Sequence, residues 1–194
     1  MDRWCARCSF REATALDSSD TWKEFDQNPL THSAAHHLVA ILDLLVDLGY
    51  ARVSDVASQL KITRGSASIT LKRLKERGLV AEDRNKFLKL SDEGERIARS
   101  IQAKKYVMKQ LFTRLLGVED AQADVDTCKI EHLVSAGTAE RATRLLQFLD
   151  ARSPAALAFL EAFRRFAPPS PAKGEKHADE SNLFRYFQAA QEQD

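Results

Sequence analysis

Apolar residues along most of this chain recur at helical spacing, and the exceptions are as informative as the rule. From Thr31 onward, Leu38, Ile41, Leu42, Leu45 and Leu48 fall three and four residues apart, and Gly49 follows as a stop. A short helix is predicted from about Ser54, read as its cap, to Leu60, with Val56, Ala57 and Leu60 facing inward. Lys61-Ile62 makes a tight connection. Thr63 caps the next helix, which runs to about Arg77 and stops at Gly78. The period then changes. Leu79-Val80-Ala81 reads as a strand, residues 82–86 as a polar turn, and Phe87-Leu88-Lys89-Leu90 as the returning strand. Ser91 caps a long helix that carries Ile97, Ile101, Val107, Leu111 and Leu115 and ends at Gly117. Further helices are predicted over about Glu119–Ser135, from a Thr138 cap to about Phe148, and from Ser153-Pro154 to about Phe166.

Helix, helix, tight turn, helix and hairpin is the layout of a winged helix-turn-helix. The fold expected is therefore mainly α, with an N-terminal winged helix-turn-helix followed by an α-helical domain. The boundaries read as an arm over 1–30, the winged helix over 31–90, the helical domain over 91–167, and a linker and tail over 168–194. Pro168-Pro169-Ser170-Pro171 opens the linker, and the tail holds a small amphipathic patch of Leu183, Phe184, Tyr186 and Phe187.

Periodicity also separates the two faces of the helix after Thr63. Ala67, Leu71 and Leu74 belong to the core, which leaves Ser66, Ile69, Thr70 and Arg73 on the opposite side, flanked by Arg64, Lys72 and Lys75. An isoleucine on a polar face suits contact with thymine methyl groups in a major groove, with Thr63, Ser66, Thr70 and Arg73 reaching base edges or phosphates. The whole chain has a formal net charge of only +1. Between Lys61 and Lys89, however, nine basic residues are opposed by only Glu76, Glu82 and Asp83, and Arg84 and Lys86 at the hairpin tip would lie along a phosphate backbone. Double-stranded operator DNA is the expected partner.

Composition narrows the class without choosing it. A chain of 194 residues with 44% hydrophobic and 29% charged residues is that of an ordinary globular protein. No apolar run is long enough to span a membrane, and the N-terminus lacks the apolar core of a secretory signal. Three cysteines do not make a closed disulfide framework, so a reducing cytoplasm is the expectation. Neither a glycine-rich phosphate loop, a nucleophile elbow nor a His-Glu-x-x-His motif is present, so no enzyme and no small organic substrate is predicted.

One cluster suggests chemistry. Cys128, Glu131 and His132 lie at i, i+3 and i+4 of a predicted helix, and thiolate, carboxylate and imidazole together suit a divalent transition metal. A buried cysteine beside a surface Glu-His pair is the plainer alternative. A fourth ligand would come from His36 or His37 on the first long helix. Cys5-x-x-Cys8 is a weaker signal: two lone cysteines in an arm, a redox pair, or an extra zinc or iron–sulfur site.

These residues carry a family resemblance. Gly49-Tyr50-Ala51-Arg52-Val53-Ser54-Asp55-Val56-Ala57, Gly78-Leu79-Val80, Leu115-Leu116-Gly117-Val118 and Asp126-Thr127-Cys128-Lys129-Ile130-Glu131-His132 resemble the metal-dependent repressors related to the diphtheria toxin and manganese transport repressors. The resemblance covers about Ala35 to Asp150. It implies a homodimer with a metal-binding and dimerisation domain after the winged helix, and metal ligands at His36, Cys128, Glu131 and His132. His37 shares the apolar face and is expected to be packed instead. Relatives hold a second metal through the long helix; here that stretch reads Lys104-Lys105-Tyr106-Val107-Met108-Lys109, with Asp124 at the remaining position. The second site is therefore expected to be lost, an ion pair from Lys105 or Lys109 to Asp124 replacing it. The third, β-barrel domain of longer relatives is not expected, the resemblance being to the shorter two-domain form. A cysteine ligand favours iron(II), with manganese(II) next and zinc or an iron–sulfur cluster behind. The function implied is a metal-dependent repressor of metal-homeostasis genes; the alternative is a metal-independent or redox-responsive winged-helix regulator using Cys5 and Cys8.

Overall fold

The computed structural model describes residues 30–166. Cys5, Cys8 and the amphipathic patch of the tail lie outside them. Helix α1 spans His32–Leu48, with the Thr31 hydroxyl accepting from the Ala34 N–H at its start and Gly49, at φ 78°, ending it in the left-handed region. Helices α2 (Val53–Gln59) and α3 (Arg64–Glu76) follow, then an antiparallel hairpin of β1 (Val80–Glu82) and β2 (Leu88–Leu90) in which Val80 pairs with Leu90 and Glu82 with Leu88. Helix α4 runs over Asp92–Gln110 and passes into a π-helical turn at Leu111–Leu115; α5 covers Asp120–Ile130 and α6 Ala136–Asp150.

One apolar core joins the first half. Leu38 and Ile41 of α1, Val56 of α2, Leu71 and Leu74 of α3, Leu88 of β2 and Ala98 of α4 are all buried in it. Fully burying a side chain of this size stabilises by about 1.5–3 kcal/mol, so these contacts dominate the stability of the reading head. The hairpin is also tied down by its backbone: the Leu88 N–H donates to Ala51 O at 2.8 Å, and the Ser91 N–H to Leu79 O at 3.1 Å.

The boundaries differ from the sequence reading in three instructive places. Ser54 is not a cap; α2 starts one residue earlier because the Asp55 carboxylate reaches back to the Arg52 N–H at 3.1 Å. The Ser135 hydroxyl, not Thr138, caps α6 by accepting from the Thr138 N–H at 3.1 Å, and Gly137 sits inside the helix. Helix α5 closes at Ile130 rather than Ser135, so His132 lies in the turn beyond it.

From Gln147 the chain forms a second compact unit. It contains the end of α6 and helix α7, Pro154–Arg165, whose Ser153 cap and first-turn proline match the sequence reading. On α7 the Phe159 and Phe163 rings stack at 6.1 Å.

Candidate metal centre and DNA-reading face

The donor cluster lies where the start of α1 meets the end of α5. His32 and His36 stand four residues apart on one face of α1, their rings edge to face with centroids 4.4 Å apart. His36 Nε2 is 3.2 Å from Cys128 Sγ and 3.9 Å from Glu131 Oε1, while His32 Nε2 is 3.9 Å from Cys128 Sγ. The ligand atoms of His32, His36 and Cys128 all fall within 4.8 Å of one another. The structure thus brings together His36, Cys128 and Glu131 of the expected set. It adds His32, which the sequence reading missed although the His-x-x-x-His spacing was available. His132 stands beside this group, its ring 5.0 Å from that of His32. His37 is buried on the core side, where Nδ1–H donates to Ser33 O at 2.6 Å, the geometry of a packed histidine.

Electrostatics make the cluster poised for a cation. Glu131 is only 2% exposed, its Oε2 accepts no hydrogen bond, and its nearest cation there is Lys105 Nζ at 3.8 Å. Burial pushes its carboxyl above the usual range, which Lys105 partly opposes. Burial, and then the Glu131 charge, push the Cys128 thiol up as well. Burial lowers His36, helped by His32 and Lys105, so its imidazole is held neutral with a lone pair to offer. Burial, with His32 and Lys104 behind it, lowers His132 likewise. A buried carboxylate oxygen without a donor, a thiol and neutral imidazoles fit a divalent transition ion, which would supply the charge this site lacks.

A second link between α4 and α5 needs no metal. Lys109 Nζ lies 2.9 Å from Asp124 Oδ2 and 3.0 Å from Asp120 Oδ2, whereas Lys105 turns to Glu131 instead of Asp124. The lysine thus supplies a covalently attached cation between the two helices. Lys109→Ala is expected to weaken metal-dependent DNA binding while leaving metal stoichiometry unchanged. Unchanged DNA affinity in a gel shift at saturating metal would show the tether to be idle.

The residues expected to read DNA lie mainly on α3. Thr63 is occupied as the cap, accepting from the Ser66 N–H at 3.1 Å. Arg64, Ser66, Lys72 and Arg73 are exposed, and Ile69 is 61% exposed. Thr70 is half-buried, with Oγ1 3.4 Å from Ser33 Oγ of α1, so it touches the helix that carries the histidines. In the wing, Arg84 is exposed, and Lys86 is exposed with Nζ 3.4 Å from Glu82 Oε1. Lys75 is held by Glu82 at 2.6 Å. A groove between α2, α3 and the wing is lined by Arg52, Val53, Ser54, Arg64, Ser68, Glu82, Asn85 and Lys86. Arg52, Ser68 and Asn85 were not singled out from sequence because no periodic pattern marks them.

A winged helix whose support helix also carries half of a metal-donor cluster defines a class: DNA-binding regulators that respond to metal. Comparison with known proteins agrees. The family described as "Iron dependent repressor, N-terminal DNA binding domain" matches residues 29–87, and "Iron dependent repressor, metal binding and dimerisation domain" matches residues 91–154. Together they account for well over half of the chain, which belongs to the iron-dependent repressor family. The HTH-type transcriptional regulator MntR of Lysinibacillus sphaericus (strain C3-41) is 29% identical over 120 residues, covering 62% of this chain and 86% of its own. The manganese regulator SloR matches with a TM-score of 0.54 at 20% identity, over 59% of this chain and 53% of its own. The structure of T. acidophilum IdeR matches with a TM-score of 0.51 at 21% identity, over 58% of this chain and 53% of its own. The chain thus aligns with about half the length of those two solved structures, and no β-barrel domain is present among the described residues.

Proposed function

We propose that this protein is a metal-activated repressor that binds operator DNA as a homodimer, with iron(II) the preferred ion and manganese(II) next. The observation that carries the reading is the double use of α1. One face of its first turns presents His32 and His36 to Cys128 of α5, and Ser33 between them touches Thr70 of the recognition helix. Ligands at His36, Cys128, Glu131 and His132 would hold the ion, which supplies a positive charge bridging α1 and α5. The chain does the rest. Drawing α1 toward α5 fixes the bearing of α3, and in a dimer two such helices must enter the major groove about 34 Å apart. Ser66, Ile69 and Arg73 then face base edges, with Arg64, Lys72, Arg84 and Lys86 on phosphates. A bias of a few kcal/mol toward the DNA-competent arrangement suffices to switch occupancy.

The domain division proposed is the winged helix over 31–90 and the metal-binding and dimerisation domain over 91–167. Cytoplasmic location and the absence of enzymatic activity follow from the same reading.

Anaerobic titration of the purified protein with each metal, followed by gel shift, tests it. Iron(II) is expected to promote operator binding at lower free concentration than manganese(II). Arg73→Ala is expected to weaken that complex by about 1–3 kcal/mol if it reads a base, and more uniformly across sequences if it meets phosphate. DNA binding indifferent to chelator would overturn the reading.

A further inference from the structure

We propose that His32 is itself a metal ligand, taking the second imidazole position in place of His132, so that this chain binds its ion through two imidazoles, a thiolate and a carboxylate, and thereby favours iron(II) over manganese(II). The inference rests on the metal-responsive reading above and specifies its metal.

The argument is geometric. Zinc-like ions bind sulfur at about 2.3 Å and nitrogen or oxygen at about 2.0–2.2 Å, so tetrahedral donors lie about 3.3–3.6 Å from one another. The separations found are 3.2 Å for His36 Nε2 to Cys128 Sγ, 3.9 Å for His36 Nε2 to Glu131 Oε1, and 3.9 Å for His32 Nε2 to Cys128 Sγ. Each is within a few tenths of an ångström of what one shared ion requires. Rotamer adjustment of an exposed first-turn histidine closes that gap at small cost.

Position supports the assignment. Glu131 forms the buried floor of the cluster, while His32 is exposed at its rim, one turn before His36 on the same helix face. An ion arriving from solvent meets His32 first and is then enclosed. Among the described residues His32 otherwise makes ring contacts with His36 and His132, and neither gives an exposed imidazole a structural task. Chemistry gives the selectivity: thiolate and imidazole favour zinc, cobalt(II) and iron(II), whereas manganese(II) prefers carboxylate, carbonyl and water oxygens in octahedral sites.

Cobalt(II) and zinc titrations of the full chain, with manganese(II) alongside, test this in wild type, His32→Asn and Cys128→Ser. Wild type is expected to give a thiolate-to-cobalt charge-transfer band and the intense visible bands of four-coordinate cobalt. In His32→Asn those visible bands should weaken or shift. Zinc affinity should fall by at least about tenfold, the scale on which even the supporting partners of a ligand act, while manganese affinity stays within about twofold. The substitution is at an exposed position, so an unchanged far-ultraviolet circular dichroism spectrum is expected. Identical cobalt spectra and zinc affinity in His32→Asn, with the charge-transfer band lost in Cys128→Ser, would overturn the role of His32 and leave the functional reading standing. A wild-type chain that binds none of the ions would overturn both.

Discussion

Gly94→Ala is expected to lower the stability of the metal-free protein by about 2–4 kcal/mol, although alanine is the better helix former by about 1 kcal/mol. Gly94 sits in the first turn of α4, where its N–H donates to the Ser91 hydroxyl at 3.1 Å. A Cβ there would lie 2.2 Å from Leu79 O and 3.1 Å from Leu79 C, both backbone atoms. That carbonyl accepts from the Ser91 N–H and hydroxyl, the bonds that fasten the wing to α4. The clash therefore cannot be relieved by turning a side chain. The strand end must move, at an overpacking cost of about 1–3 kcal/mol, with about 1 kcal/mol more for each hydrogen bond loosened. Gly65 in the first turn of α3 is the internal control, since a Cβ there would meet nothing closer than Thr63 Oγ1 at 3.8 Å. Gly65→Ala is expected to be neutral or stabilising by up to about 1 kcal/mol. Thermal unfolding in chelator reads both, and a Gly94→Ala midpoint equal to wild type would refute the steric account.

The comparison of α3 with α5 shows what sequence reveals and what it withholds. Ala67, Leu71 and Leu74 are buried as their spacing predicts, because a regular helix fixes which residues share a face. The caps at Thr63, Ser91 and Ser153 were legible for a similar reason, being local side-chain acceptors for first-turn N–H groups. Ser54 failed because Asp55 competes for the same task from inside the helix. The end of the long helix was less legible still. At Leu111–Leu115 the ladder widens, with the Leu116 N–H bonding Leu111 O at 3.2 Å, and a one-residue shift of backbone pairing leaves no mark in composition.

The candidate site divides along the same line. Cys128 and Glu131 share a helical face by spacing alone, whereas the residues offered His36 or His37 as their partner and the resemblance pointed to His36. His32 escaped because it stands at the first helical position, outside the apolar stripe, and matters only once α1 and α5 converge. Of the two lysines offered to Asp124, Lys109 takes it, whereas Lys105 stands 3.8 Å from the buried Glu131, whose Oε2 has no hydrogen bond. Tertiary electrostatics decided that partner, not local pattern.

That buried carboxylate leads to the second large effect. Glu131→Met is expected to stabilise the metal-free protein by about 1–3 kcal/mol while abolishing its stabilisation by metal. In the metal-free state Glu131 is almost wholly buried, one oxygen has no hydrogen bond, and its flanking groups, His36 and Lys105, stand at 3.9 and 3.8 Å. Those distances are too long for a hydrogen bond, so desolvation of the carboxyl is poorly offset. Methionine nearly preserves the volume and removes the polar group. Lys105 loses little, since its side chain is 43% exposed and can turn to water. The wild-type protein instead recovers the cost when an ion binds: at 100 times the dissociation constant the gain is about 2.7 kcal/mol. Metal-free and metal-loaded melting curves should therefore cross over between the two proteins, the variant higher without metal and the wild type gaining with it. The strain at Glu131 would then be what makes the switch responsive, because a site already satisfied has little to gain from an ion. A variant less stable than wild type in chelator would locate the function of Glu131 in the fold, and one still stabilised by metal would remove it from the site.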